Sequence, residues 1–238
     1  MDSLAVISLK KLEQLAVRYL AVSAWAMTPI ICLGALLTGN PLWMEATGFS
    51  LILSLASLYT KKDKDASLST KYLLASVLTI QTSILLGVFS GHPWQLDIHM
   101  LFFAVLAGIS MMVDWRPIFL STAFVALHHL LLSFVLPSLV FPDNASVPRV
   151  ILHALILGAQ AIALIWLTHQ LERFSIAAKR SAEKAQAQAD LAQKARDQAE
   201  EEKMKAEEAL EQAKQSELQR QKIEEEGQTA QREEKQKQ

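Results

Sequence analysis

Six histidines occur in the chain, and five lie between Trp94 and His169: His99, His128, His129, His153 and His169. All five fall in strongly apolar stretches. A histidine in a lipid-spanning stretch costs free energy to bury, which makes it a candidate functional residue. Neutral imidazole is the commonest biological metal ligand and suits zinc, copper and iron, haem iron included. Asp97 stands two residues before His99, where a carboxylate can orient an imidazole or add an oxygen ligand.

Spacing narrows the set. At ~1.5 Å per helical residue, counting inward from the nearest prolines puts His99 about 8 Å, His129 about 12 Å and His153 about 7 Å below one membrane face. Three successive segments thus bring one histidine each to a common layer, and His169 falls near the opposite face. Adjacent residues on a helix point about 100° apart, so only one of His128 and His129 can face a shared centre. His129 lies on a small, polar stripe with Thr122, Ala126 and Ser133, and His128 on a bulkier one with Ser121, Phe124, Leu131 and Val135. Small and polar residues favour helix interfaces in membranes, so His129 is expected inward, with His128 the second choice. The predicted metal ligands are therefore His99, His129, His153 and Asp97. They would hold a transition-metal ion (copper, zinc or iron) or the iron of haem b. Phe102, Phe103, Phe124 and Phe134 are available to line a haem slot.

The elements that must position these groups are long apolar runs. The chain is 238 residues and 51% hydrophobic, but residues 15–171 are almost wholly apolar and residues 172–238 are mostly Ala, Glu, Gln, Lys and Arg. A run of roughly 20 apolar residues spans a bilayer core of about 30 Å. Six such runs are expected, at about 15–37, 42–60, 71–90, 94–114, 117–137 and 149–170. Each must be helical, because lipid offers no partner to an open backbone. Gly39-Asn40-Pro41, Gly91-His92-Pro93 and Pro142-Asp143-Asn144 mark turns between them. Asp114-Trp115-Arg116-Pro117 reads as a turn that fixes topology, with Asp and Arg able to pair. Lys10, Lys11, Arg18, Lys61, Lys62, Lys64, Lys71, Arg116, Arg173, Lys179 and Arg180 all fall on one side, which places both termini in the cytoplasm. The lone Cys32 excludes a disulfide framework. With 23 basic against 24 acidic residues, nothing points to nucleic acid.

The polar tail predicts one long helix. Alanines at 178, 182, 185, 189, 192, 199, 206 and 213 step by three and four, then by sevens, with Arg196, Lys203 and Leu210 between them. This is a heptad seam of small residues, expected to pair with a second copy in a parallel coiled coil. Alanine buries little area, so the coil needs support from the membrane part or from a domain beyond residue 238.

The expected fold is all-α: a six-helix transmembrane bundle, residues 1–171, continuing into a cytoplasmic coiled-coil helix, residues 172–238. Residues Gln95 to Ala104, Asp114-Trp115-Arg116-Pro117, Ala126 to Leu132 with its His128-His129 pair, and Leu152-His153-Ala154 resemble a six-helix sensor region. That region stands at the N-terminus of bacterial methyl-accepting chemotaxis proteins and some diguanylate cyclases. The resemblance is strongest over residues 92–170. It implies a multi-pass protein of the bacterial inner membrane whose partners are a second copy and downstream cytoplasmic signalling proteins. A weaker likeness is to membrane sensor modules built on Met-His-Tyr-Thr repeats, which Ile98-His99-Met100-Leu101 echoes without repeating.

The expected function is a non-enzymatic, chemoreceptor-like sensor in which a histidine-held haem or metal relays a redox, gas or metal stimulus through the last span to the coil. The alternatives are an intramembrane zinc hydrolase, which also assembles histidines and an aspartate around an open metal site, and a purely structural dimerising anchor.

Overall fold

A computed structural model describes residues 9–63, 66–140 and 147–236. The Pro142-Asp143-Asn144 turn, Lys64 and the last two residues lie outside the described residues. The described residues form helices joined by short turns: α1 Leu9–Leu37, α2 Trp43–Ala56, α3 Leu68–Val88, α4 Gln95–His99, α5 Leu101–Ser110, α6 Trp115–Val135 and α7 Val147–Gln236, with 3-10 turns at Ser57–Lys61 and Pro137–Leu139. Among the described residues four helices are long and apolar enough to cross a membrane: α1, α3, α6 and the first part of α7. The chain divides into two compact units, Met1–Ala178 and Lys179–Gln238.

In the first unit α1 packs along α2 and α3, and α6 packs against α3 and α5. Ala24, Ile31, Leu74, Leu85, Ile109 and Ile118 form its core. Gly34 marks the closest approach: a Cβ there would lie 2.7 Å from the Phe89 ring. α1 ends at Gly39, whose φ of +64° lets the Asn40 N–H turn back to the Ala35 carbonyl at 2.9 Å. Polar side chains point inward, as expected where the surroundings offer them no water. Gln81, fully buried, donates to the Ala24 carbonyl at 3.0 Å and to the Ser50 and Ser54 hydroxyls, joining α3 to α1 and α2.

The expected second and fourth runs are not single long helices. α2 has 14 residues and tightens into the 3-10 turn before Lys61. The fourth run tightens at Met100, where the Met100 and Phe103 N–H groups reach back only three residues, and it ends at Ser110 instead of residue 114. Beyond the tightened turn, α5 buries Phe102, Leu106 and Ile109.

Asp114 caps α6 by accepting from the Arg116 N–H at 3.1 Å, and its carboxylate grips the Arg116 guanidinium at 3.0 and 2.9 Å. It also lies 3.6 Å from the buried Lys71, which pairs with Glu13 at 3.2 Å. The topology-fixing turn is therefore a junction of α1, α3 and α6. Burial opposes ionisation of Asp114, but hydrogen bonds from Arg116 and the charges of Lys71 and Arg116 outweigh it and hold the carboxyl below its ordinary value.

The second unit is the distal part of α7. Its described side chains are exposed and form one-turn pairs such as Lys203–Glu207 at 3.7 Å and Gln193–Asp197 at 2.8 Å. The alanine seam lies open along it.

Candidate metal centre

Three histidines from three elements converge. His99 is the last residue of α4, His129 lies two turns before the end of α6, and His153 is in the second turn of α7. His99 Nε2 is 3.0 Å from His129 Nε2 and 3.0 Å from His153 Nε2. One ligand nitrogen from each ring lies within 4.8 Å of the other two. The His99 ring stands edge-on to both partners, at interplanar angles of 79° and 84°, and the His129 and His153 rings lie 20° from parallel. His99 and His129 are buried and His153 half-buried.

The ring protons are what make this cluster more than packing. A neutral imidazole has one N–H and one lone pair. The Nδ1 of His129 lies 2.8 Å from the Val125 carbonyl, which can only accept, so the proton sits on Nδ1 and Nε2 presents a lone pair. The Val140 carbonyl lies toward the His99 ring. With the His99 proton on that side, a second lone pair turns toward the first. Two lone pairs 3.0 Å apart repel unless a cation lies between them. Nitrogens on a tetrahedral ion with bonds of ~2.0 Å stand about 3.3 Å apart, so a small outward movement of the rings admits one.

The space matches a bare ion. The cavity at the cluster is about 30 Å³, bounded by Phe102, Phe103, Val125 and Leu157 besides the histidines. A bis-histidine haem needs its two ligating nitrogens about 4 Å apart, twice a bond of ~2.0 Å, with the porphyrin between the rings. Neither the 3.0 Å spacing nor the cavity leaves that slot. Phe124 and Phe134 point away and are exposed.

The remaining candidates stand apart. Asp97 is exposed in the first turn of α4; two residues before His99 is about 200° around the helix, so both cannot face one centre. His128 is half-buried and stacks on Phe124 at 18°, and its Nε2 has no hydrogen-bond partner. His129 does face inward, but on a stripe of Ile118, Ser121 and Val125; Ala126 is exposed. His169 is half-exposed, 3.9 Å from Glu172.

Four further groups shape the centre. Fully buried Gln95 accepts from the Gly91 N–H at 2.9 Å and donates to the Ser138 carbonyl at 2.9 Å. This latch holds the Pro137–Val140 strap, and with it the Val140 carbonyl, over His99. Ser133 donates to the His129 carbonyl. Gln160, two turns along α7 from His153, donates to the Phe103 carbonyl at 3.0 Å. Only Gln160 and Ser133 have a sequence signal, since each is a polar residue at helical spacing from a histidine. Comparison with protein-family models, with curated proteins and with solved structures finds no match.

Proposed function

We propose that the chain is the sensor part of a transmembrane receptor of the chemoreceptor or diguanylate cyclase kind. In this reading His99, His129 and His153 hold one copper, zinc or iron ion, and the stimulus is the arrival of that ion or a change in its redox state or small-molecule ligand. The observation that carries the reading is the convergence of the imidazole nitrogens, with the ring proton of His129 already committed to the Val125 carbonyl.

The placement of the ligands supports a relay. His99 and His129 belong to the packed helices, and His153 belongs to α7, the helix that continues into the polar tail. Otherwise the inner stripe of α7 rests on Leu157, Ala161, Leu164 and the Gln160–Phe103 hydrogen bond. An ion bound to all three rings adds a strong tie across that light contact, so its presence shifts the balance between docked and loosened positions of α7. Six membrane crossings, a bacterial inner-membrane location and cytoplasmic termini complete the proposal, supported by the one-sided distribution of Lys and Arg.

The hydrolase alternative is less well supported, because among the described residues no carboxylate joins the three histidines. A structural anchor leaves three convergent imidazoles without a purpose. Elemental analysis and an absorption spectrum of protein purified in detergent test the reading. Stoichiometric metal without a Soret band is expected. A Soret band would replace the bare ion with haem, and protein that takes up no copper, zinc or iron would leave the anchor.

A further inference from the structure

A second concave site lies away from the histidines. A groove of about 1000 Å³ runs between α1 and the 3-10 turn that follows α2. Val17, Val22, Trp25 and Leu58 make its apolar wall, and Arg18 and Lys61 stand at its mouth. Both cations are exposed and form no ion pair with the described residues. Among the described residues lining the groove the one acidic side chain, Asp63, accepts from the Ser67 N–H at 2.7 Å and the Thr70 hydroxyl at 2.5 Å, so its charge is engaged at the start of α3.

Helix lengths put the two cations at one level. Arg18 lies about 29 Å from the Leu37 end of α1 at ~1.5 Å per residue. From Trp43, the α2 helix and the 3-10 turn at ~2 Å per residue together reach Lys61 in about 31 Å. The apolar thickness of a bilayer is about 30 Å, so both basic groups emerge where lipid phosphates begin, with the apolar wall below them.

We propose that this groove holds an anionic glycerophospholipid, its phosphate between Arg18 and Lys61 and an acyl chain along Val22, Trp25 and Leu58. The inference rests on α1 and α2 crossing the bilayer and is independent of the metal centre. Charge complementarity selects the anionic class, and the apolar wall excludes free phosphate as the natural occupant.

The test is native mass spectrometry of the delipidated full chain in detergent, offered phosphatidylglycerol or phosphatidylcholine. Wild type is expected to retain phosphatidylglycerol in preference. Arg18→Gln with Lys61→Gln lowers that retention about 25-fold, roughly five-fold per basic residue near the membrane surface. Val22→Trp, at an exposed position that fills the groove, abolishes retention without touching a charge. Lys62→Gln, a neighbouring charge outside the groove, leaves it unchanged. Equal retention of the two lipids, or wild-type retention by both the double variant and Val22→Trp, would mean surrounding lipid only and would overturn the proposal. Displacement by millimolar inorganic phosphate would overturn the acyl-chain part.

Discussion

The His129 imidazole has a local anchor in the Val125 carbonyl, and such an anchor decides what a substitution does. His129 is fixed by Val125 and Ser133, so replacing it removes one donor and leaves the helix intact. His129→Ala and His153→Ala are each expected to lower metal affinity at least about ten-fold, the smaller end of the effect of disturbing a site's support. His128→Ala, Asp97→Asn and His169→Ala should leave it unchanged. Metal content after dialysis against a graded chelator reads all five, and loss in His128→Ala with retention in His129→Ala would reverse the assignment. Asp114 shows a different balance. Asp114→Asn weakens the cap and strips the buried Lys71 of one of two partners, at a cost of about 1–3 kcal/mol. Because the folded carboxyl titrates below its ordinary value, its contribution is present at neutral pH and is lost as pH falls through that lowered value. The stability gap between wild type and Asp114→Asn should therefore be constant above pH 4 to 5 and close in stronger acid, as read by thermal unfolding in detergent.

At the scale of elements, the sequence reveals the helices that have whole apolar runs and obscures those that are broken. α1, α3 and α6 are legible because their runs are long and bounded by Lys, Pro and Gly. The tightening at Met100 is not, since Ile98, His99, Met100 and Leu101 include no Pro or Gly to signal it. Counting residues from Pro93, Pro137 and Pro148 was enough to bring the three histidines to one layer, because depth along a helix depends only on rise. Direction around the helix is less legible: the small, polar stripe points His129 inward, but the residues buried with it are Ile118, Ser121 and Val125 instead of Thr122 and Ala126, since burial follows contact with α3 and α5 rather than side-chain size. The Gln81 network and the Gln95 latch depend on what lies opposite, which no single segment encodes. Gly34 illustrates the same limit. Its role is evident only from the Phe89 ring 2.7 Å from where a Cβ would stand. Gly34→Val should force α1 and α3 apart and destabilise the protein by about 1–3 kcal/mol, the usual cost of overpacking. Thermal unfolding measures it, and an unchanged midpoint would show that Phe89 can swing aside freely.

For the whole molecule, the open alanine seam raises the question of its partner. A lone helix gains little from small residues repeated every seven positions, whereas two copies can approach closely along them. Cysteines at Ala189 and Ala192 should cross-link to their own copies under mild oxidation. They should react with a membrane-impermeant thiol reagent only after cells are opened. Cross-linking at neither position would remove the parallel dimer, and labelling in intact cells would invert the proposed orientation.

The Gln95 latch bears on time as well as on affinity. An ion approaching His99 from the nearer membrane face meets the Pro137–Val140 strap, tied down through the Ser138 carbonyl. In the proposed sensor, exchange would wait on the fraction of moments in which this tie, shared by Gln95 and Ser90, is broken. Gln95→Leu, of similar size but unable to hydrogen-bond, should open the strap more often while leaving the three nitrogens in place. A net hydrogen bond of about 1 kcal/mol corresponds to roughly a five-fold change in that fraction. Loading and chelator-driven release should both quicken by that factor in stopped-flow absorbance, with the equilibrium constant nearly constant. In the proposed sensor, response time would then be set by a glutamine that never touches the ion.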